Sequence, residues 1–309
     1  MPNKHSLRGS ILLIAAAFIW GSAFVAQSEA MAEVRPFAFQ AVRSFVAIPF
    51  ILLLIFGKDG IQKKWGLYRA PTKEENRRLL LGGLVCGLAI GAASNLQQYG
   101  ISLSADETGK AGFLTALYIL FVPLLGLFVR RFPPFTLWIA LPFAVTGLYL
   151  LCMTESLSLS PADTSLLLCS VMYAVQILCC DRFAPGLDCF RLSAIQFFIN
   201  GVMSLLLSLL FEGNGLLLLF NSLPNVWFEL LYCAFLSSGL AYTFQLIGQQ
   251  EVHPTVASLL MSLESVFAVL SALVVQGQKP TLSEWLGCAC MLVAILTAQL
   301  PTRKKSANE

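Results

Sequence analysis

Glu264 sits near the centre of an apolar stretch, in the run Met261, Ser262, Leu263, Glu264, Ser265, Val266, Phe267. A carboxylate at mid-membrane costs about 3 kcal/mol, and the eleven Leu, Phe and Val residues of that stretch, each contributing roughly 0.3 to 0.6 kcal/mol, offset it. The stretch therefore inserts, with the glutamate facing protein. Such a carboxyl can take up and release a proton, which suits a coupled transport step; it can equally tie neighbouring helices without moving. Arg43 lies two turns into the second apolar stretch, where it can bind an anionic substrate group, pair with Glu29 or Glu264, or snorkel to the outer surface. Lys110 opens the fourth stretch behind Asp106 and Glu107, as a gating charge or an interfacial one. The run Thr108, Gly109, Lys110 has the look of a phosphate loop's end, but Ala111 replaces the hydroxyl and Ser104 the glycine, so ATP binding is not supported.

Uncharged polar groups accompany these three. Trp20 is in the middle of its stretch, where an indole N–H needs an acceptor or a cavity. Phe24 and Gln27 follow four and seven residues on, so the three share one helical face. Asn95, Gln98 and Tyr99 form a polar stripe at the outer end of the third stretch, and Tyr118, Gln176, Asn200, Tyr242 and Gln245 add hydrogen-bonding groups elsewhere. Each alone reads as interhelical glue as readily as a ligand contact. Together Trp20, Phe24, Gln27, Asn95, Gln98, Tyr118, Tyr242 and Gln245 are the expected lining of a central, partly aqueous cavity, with Glu264, Arg43 and Lys110 as its charged elements.

The elements that position them are ten apolar stretches, at about 11–32, 36–56, 79–100, 108–129, 134–152, 163–181, 191–212, 226–247, 254–275 and 282–300. Each is roughly 19 to 22 residues, enough to cross about 30 Å of hydrocarbon at about 1.5 Å per residue. The predicted fold is an all-α membrane protein of ten transmembrane helices. Basic residues fall on alternate connections: Lys4 and Arg8, a run from Lys58 to Arg78, Arg130 and Arg131, Arg182 and Arg191, and Arg303 to Lys305. These connections hold 16 of the 20 Lys and Arg residues. Positive charge retained in the cytoplasm sets orientation, which predicts both tails, 1–9 and 301–309, inside a bacterial cytoplasmic membrane.

Composition agrees: 57% of residues are hydrophobic, 12% are charged, and mean hydropathy is +0.75, far from a soluble domain. The net charge of +3 marks the cytoplasmic leaflet, with acidic lipid as partner and no nucleic-acid footprint. The nine cysteines include no CxxC pair and read mostly as buried small hydrophobes, with Cys152 and Cys189 expected to meet water. Lys4 and Arg8 before an apolar run resemble a signal peptide, but nine further stretches make this an uncleaved first span. The two histidines, His5 and His253, form no HExxH motif, and there is no GxSxG. An enzyme is therefore not expected, nor is a cofactor or a metal centre. An intramembrane enzyme and a non-transporting scaffold are the alternative readings.

An internal repeat shows when the chain is split near Ser160. At an offset of 153, Trp20 meets Tyr173, Phe37 meets Phe190 and Arg43 meets Gln196; further on the offset drifts to 147, where Trp138 meets Trp285. Two units, 10–152 and 163–300, result. Five spans per unit is odd, so the second copy must lie inverted in the membrane, an arrangement typical of secondary transporters. Gly83, Gly87 and Gly91 recur every four residues along one face of the third stretch, a pattern for close helix packing that leaves homodimerisation open. Pro49, Pro123 and Pro142 lie within first-half stretches, with no counterpart in the second, so kinks are expected mainly in the first half.

These residues resemble the EamA family of the drug/metabolite transporter superfamily over nearly the whole chain. The likeness is carried by Trp20, Gly21 and Phe24, by Arg43, and by the run from Lys110 to Tyr118 with Val122 and Pro123. In the second half it is carried by Ala257 to Leu260, by Leu263, Glu264, Val266 and Phe267, and by Trp285 to Gly287. The resemblance implies two five-helix repeats and export of small metabolites, often amino acids, through a central cavity. The family usually carries proline after the ninth-span glutamate, where this chain has Ser265.

Overall fold

In hydrocarbon a backbone polar group finds no water, so long apolar runs satisfy their N–H and C=O groups by forming helices. The computed structural model describes residues 4–103, 108–152, 160–276 and 280–298, and every secondary-structure element among them is helical. The order is α1 (Lys4–Ala30), α2 (Pro36–Lys64), α3 (Lys73–Leu103), α4 (Thr108–Ala116), α5 (Tyr118–Phe128), α6 (Phe135–Cys152), α7 (Pro161–Phe183), α8 (Cys189–Phe211) and α9 (Gly215–Leu231). There follow a π-helical segment (Tyr232–Ala241), α10 (Tyr242–Gln249), α11 (Pro254–Met261), α12 (Glu264–Gln276) and α13 (Leu282–Ala298). Eight helical stretches are long and apolar enough to cross a membrane, and the fifth and tenth predicted stretches are the shorter apolar helices Phe135–Leu151 and Leu282–Ala298.

Two predicted spans are not continuous helices. The fourth breaks at Leu117, between α4 and α5, and the ninth at Ser262 and Leu263, between α11 and α12. At the second break the Ser262 hydroxyl donates to the Leu259 carbonyl at 2.8 Å, competing with the backbone ladder as serine hydroxyls do. The first lies nearly two turns before Pro123, whose missing N–H leaves the Ile119 carbonyl without its helical donor. The eighth span is longer than expected, Gly215–Gln249, and carries the wide π turn at its middle. Kinks are thus not confined to the first half: the ladder is disturbed at the π turn and at Ser262 and Leu263, without a proline at either.

Glycines set how closely the helices approach. A Cβ on Gly83, Gly87 or Gly91 would meet Ile195, Ile199 or Met203 of α8 at 2.4 to 2.7 Å, so that face of α3 is spent on an internal contact. Gly147 and Gly287 mark the crossing of α6 and α13, where a Cβ on either would lie 2.9 or 2.7 Å from the other's carbonyl oxygen. At one end of the bundle ion pairs join the halves: Lys58 to Asp188, Arg191 to Asp59 at 2.7 Å, and Arg131 to Asp181 at 2.7 Å. Cys189, expected to meet water, is buried there, with the Gln250 amide donating to its sulfur at 3.1 Å. His253 caps α11, its Nδ1 accepting from Thr255 N at 3.3 Å. Burial pushes its imidazole below the ordinary value, which keeps that nitrogen free to accept at neutral pH.

At the opposite end Glu212 reaches from the end of α8 to the start of α2 and accepts from the N–H groups of Phe37 (2.7 Å) and Ala38 (2.8 Å). These are donors that a helix start leaves unsatisfied. Glu212→Ala is expected to destabilise the protein by about 1 kcal/mol, the usual cost of a lost N-cap acceptor. A thermal melt of the purified variant, compared with Glu212→Gln, measures it; an unchanged melting temperature would refute the capping role.

Candidate functional site

The broken helices meet at the middle of the bundle. Tyr118 is the first residue of α5 and Glu264 the first of α12, and the Tyr118 hydroxyl donates to Glu264 Oε1 at 3.0 Å. Both open into a narrow cavity of about 30 Å³. Its walls come from both halves of the chain. From the first come Trp20, Phe24 and Gln27 of α1, Arg43 of α2 and Gln97 of α3; from the second come Tyr173 and Gln176 of α7, Ser237 of the π segment, and Tyr242 and Gln245 of α10. Thr115 and Met261 line it beside the two breaks.

Each polar group on these walls has a structural reason to be there. The Trp20 indole donates to the Ser237 carbonyl at 3.3 Å, an acceptor that the π turn exposes because its ladder is out of register with an α-helix. The Trp20 ring lies 4.7 Å from that of Tyr242. From Tyr242 a hydrogen-bonded thread runs to Tyr173 (3.2 Å), Gln97 (2.9 Å) and Thr115 (3.5 Å). A second thread runs from the Gln245 amide to Gln176 Oε1 (3.0 Å) and from the Gln176 amide to the Cys180 sulfur (3.0 Å). Arg43 Nη1 donates to Gln27 Oε1 at 2.7 Å, and the Gln27 amide donates to Ala23 O at 3.1 Å.

Glu264 is 5% exposed and Arg43 2%. No ion pair joins them, and none joins Arg43 to any acid among the described residues. Glu29 points away, on the exposed side of α1. Both the pairing and the snorkelling expected for Arg43 are therefore replaced by a buried cation held by an amide oxygen. An unpaired buried charge is destabilising.

Of the expected site residues, Trp20, Phe24, Gln27, Tyr118, Tyr242, Gln245, Arg43 and Glu264 line this cavity. Asn95 and Gln98 do not. Asn95 turns onto α8, where its amide donates to Ser204 Oγ at 2.8 Å within a polar interface that also holds Gln40, Ser44, Ser94 and Asn200. Gln98 is fully buried outside the cavity lining. Residues one or two apart on a helix point in different directions, and it is the neighbouring Gln97 that α3 turns toward the cavity. The side chain of Lys110 lies outside the described residues. Tyr173 was legible only as the repeat counterpart of Trp20, and Ser237 had no signal, because its part is played by a backbone carbonyl.

The cavity wall holds one carboxyl, one guanidinium, three phenols and an indole. Among the described residues no group of three or more His, Cys, Asp or Glu side chains comes together. Those groups can donate and accept hydrogen bonds, and the carboxyl is the one group among them able to carry an exchangeable acidic proton. The model of the EamA-like transporter family matches residues 7–153 and again 160–298. An uncharacterised transporter of Archaeoglobus fulgidus is 24% identical over 290 residues, covering 92% of this chain and 83% of its own length. A protein of known crystal structure superposes with a TM-score of 0.72 over 94% of this chain and 96% of its own, at 17% identity, which shows a shared fold.

Proposed function

The chain belongs to the EamA-like transporter family, and from that premise we propose that it is a secondary carrier exporting a small metabolite by alternating access, with Glu264 as the proton-coupling group. The observation that carries this reading is the cavity itself. It is lined by both halves, at the point where one helix in each half breaks, and broken helices at matching places of two repeats are where transporters bind their cargo. The helices that restart after the two breaks begin at Tyr118 and Glu264, 146 residues apart, within one of the offset that pairs Trp138 with Trp285.

In the same reading the chain crosses the cytoplasmic membrane ten times, as two inverted units, 10–152 and 163–300, with both termini inside. Repeated contacts support the inversion. Gly100 lies against Leu166 and the Ala162 carbonyl as Gly248 lies against Leu13 and the Gly9 carbonyl; both Leu13 to Leu166 and Gly9 to Ala162 are steps of 153. Glu212 holds the start of α2, and Asp59, its counterpart at 153, holds Arg191 at the start of α8. Phe45 packs on its own counterpart, Phe198.

Proteoliposome flux tests the carrier reading, guided by an export screen in cells overproducing the protein. A compound whose cellular level falls on overproduction is expected to cross proteoliposomes faster than empty liposomes. Flux equal to empty liposomes across the recovered compounds would sink the proposal.

A further inference from the structure

Arg43 and Glu229 are each left half-satisfied on two sides of one thiol. Arg43 Nη1 donates to Gln27 Oε1 at 2.7 Å, while its Nε, though buried, meets no acceptor among the described residues. Glu229, on α9, has its Oε2 buried with no donor in the same set, and no ion pair joins the two side chains. Both nevertheless act on the fully buried Cys233 thiol, which lies within hydrogen-bond reach of the guanidinium and close to the Glu229 carboxyl. A buried cation held by a neutral amide, with a carboxyl near it but not in contact, is costly as it stands. Each lone group is what the other lacks.

The fold supplies a means of bringing them together. α9 runs directly into the π segment, of which Cys233 is the second residue, and that segment runs on into α10. A π turn holds more residues than an α turn, so tightening it to the α ladder turns α9 about its own axis relative to α10. α9 also packs on α1 across small side chains, Ala23, Ala26 and Ala30, a smooth face to turn against. Resting on the carrier reading, we infer that Glu229 is the partner Arg43 takes in the carrier's other conformation: the π segment tightens, α9 turns, and the guanidinium passes from Gln27 to Glu229. Arg43 is then a charge with two seats, one on α1 and one on α9. The same tightening withdraws the Ser237 carbonyl that now accepts the Trp20 indole at 3.3 Å, because an α ladder uses that carbonyl itself. Trp20 and Arg43 are thereby released from their present partners in one movement. Glu229 is absent from the cavity lining, so it acts through Arg43 as a positioning residue.

Hydrogen–deuterium exchange on the purified full chain in lipid nanodiscs reads the π segment directly and needs no cargo. Each tightening breaks and remakes the ladder, so the amides of 232–241 exchange through that opening. Glu229→Gln removes the charge that favours the other conformation. It is expected to slow exchange across 232–241 by about fivefold or more, with a melting temperature equal to or above that of the wild type, since no bond of the present conformation is lost. A carboxylate that only holds structure gives the opposite result, faster exchange and a lower melting temperature. Glu229→Asp keeps the charge and should exchange near the wild-type rate. Exchanging the charges, Arg43→Glu with Glu229→Arg, should recover the exchange that Glu229→Gln loses. If the exchanged pair does not fold, Glu229→Gln and Glu229→Asp decide between themselves. Unchanged or faster exchange in Glu229→Gln, equal slowing in Glu229→Asp, or a folded exchanged pair that stays slow overturns the inference. Flux of the compound recovered in the export screen separates it from the carrier reading. Wild-type flux above that of empty liposomes, with exchange unchanged in Glu229→Gln, keeps the carrier and ends the switch. Slowed exchange in Glu229→Gln, with no recovered compound crossing faster than through empty liposomes, does the reverse.

Discussion

Glu264→Gln is expected to bring transport down to the level of empty liposomes while leaving the amount of protein in the membrane unchanged. The asymmetry follows from what the carboxyl touches. Its Oε1 accepts the Tyr118 hydroxyl at 3.0 Å, and a glutamine carbonyl in the same place accepts that bond equally well. The tie between α5 and α12 survives, and with it the fold. What the amide cannot do is take up and release a proton. A carrier that couples cargo to proton movement loses the coupled step, and any residual flux loses its response to an imposed pH gradient. Glu264→Ala, by contrast, leaves the Tyr118 hydroxyl unpaired in a buried site, at about 1 to 3 kcal/mol, and should lower the melting temperature as well. Normal flux with normal pH dependence in Glu264→Gln would remove the coupling role and leave Glu264 as a structural tie.

Gly21→Ala should have the largest effect of any single methyl addition near the site. A Cβ there would lie 2.5 Å from the carbonyl oxygen of Glu264, 2.6 Å from Phe267 Cβ and 2.8 Å from the backbone nitrogen of Ala268. Two of these atoms are backbone and cannot swing aside, so α1 and α12 must separate. Overpacking of this kind costs about 2 to 3 kcal/mol. The displaced segment begins with Glu264 itself, so flux should fall along with stability. Gly57→Ala is the matched control: nothing lies within 4 Å of its added Cβ, and replacing a helical glycine there should be neutral or stabilising by about 0.5 to 1 kcal/mol. Melting curves and flux of the two variants, side by side, decide. Equal behaviour of the two would mean that α1 and α12 are not packed as closely as Gly21 indicates.

These two residues differ in how far they could be read in advance. Glu264 declared itself by type and depth, since a carboxylate in the middle of an apolar run has to face protein whatever the rest of the chain does. Gly21 carried part of the family likeness but no signal of type or depth, because its importance lies in a partner 243 positions away. The polar stripe on α3 shows the same limit within one turn. Asn95, Gln97 and Gln98 are equally polar and equally deep, but only Gln97 lines the cavity. Their division depends on how α3 is rotated, and that rotation is set by Gly83, Gly87 and Gly91 lying against α8.

Helical character, the apolar runs and the crowding of basic residues on alternate connections were determined by the sequence alone, because each is a property summed over neighbouring residues and needs no partner. Tertiary structure alone decided where the fourth and ninth stretches break, that the π turn offers the Ser237 carbonyl to Trp20, and that Arg43 is buried with no ion pair to an acid among the described residues. Each of these depends on which atoms from distant segments come within about 3 Å of one another, a distance that hydropathy and spacing along one chain do not contain.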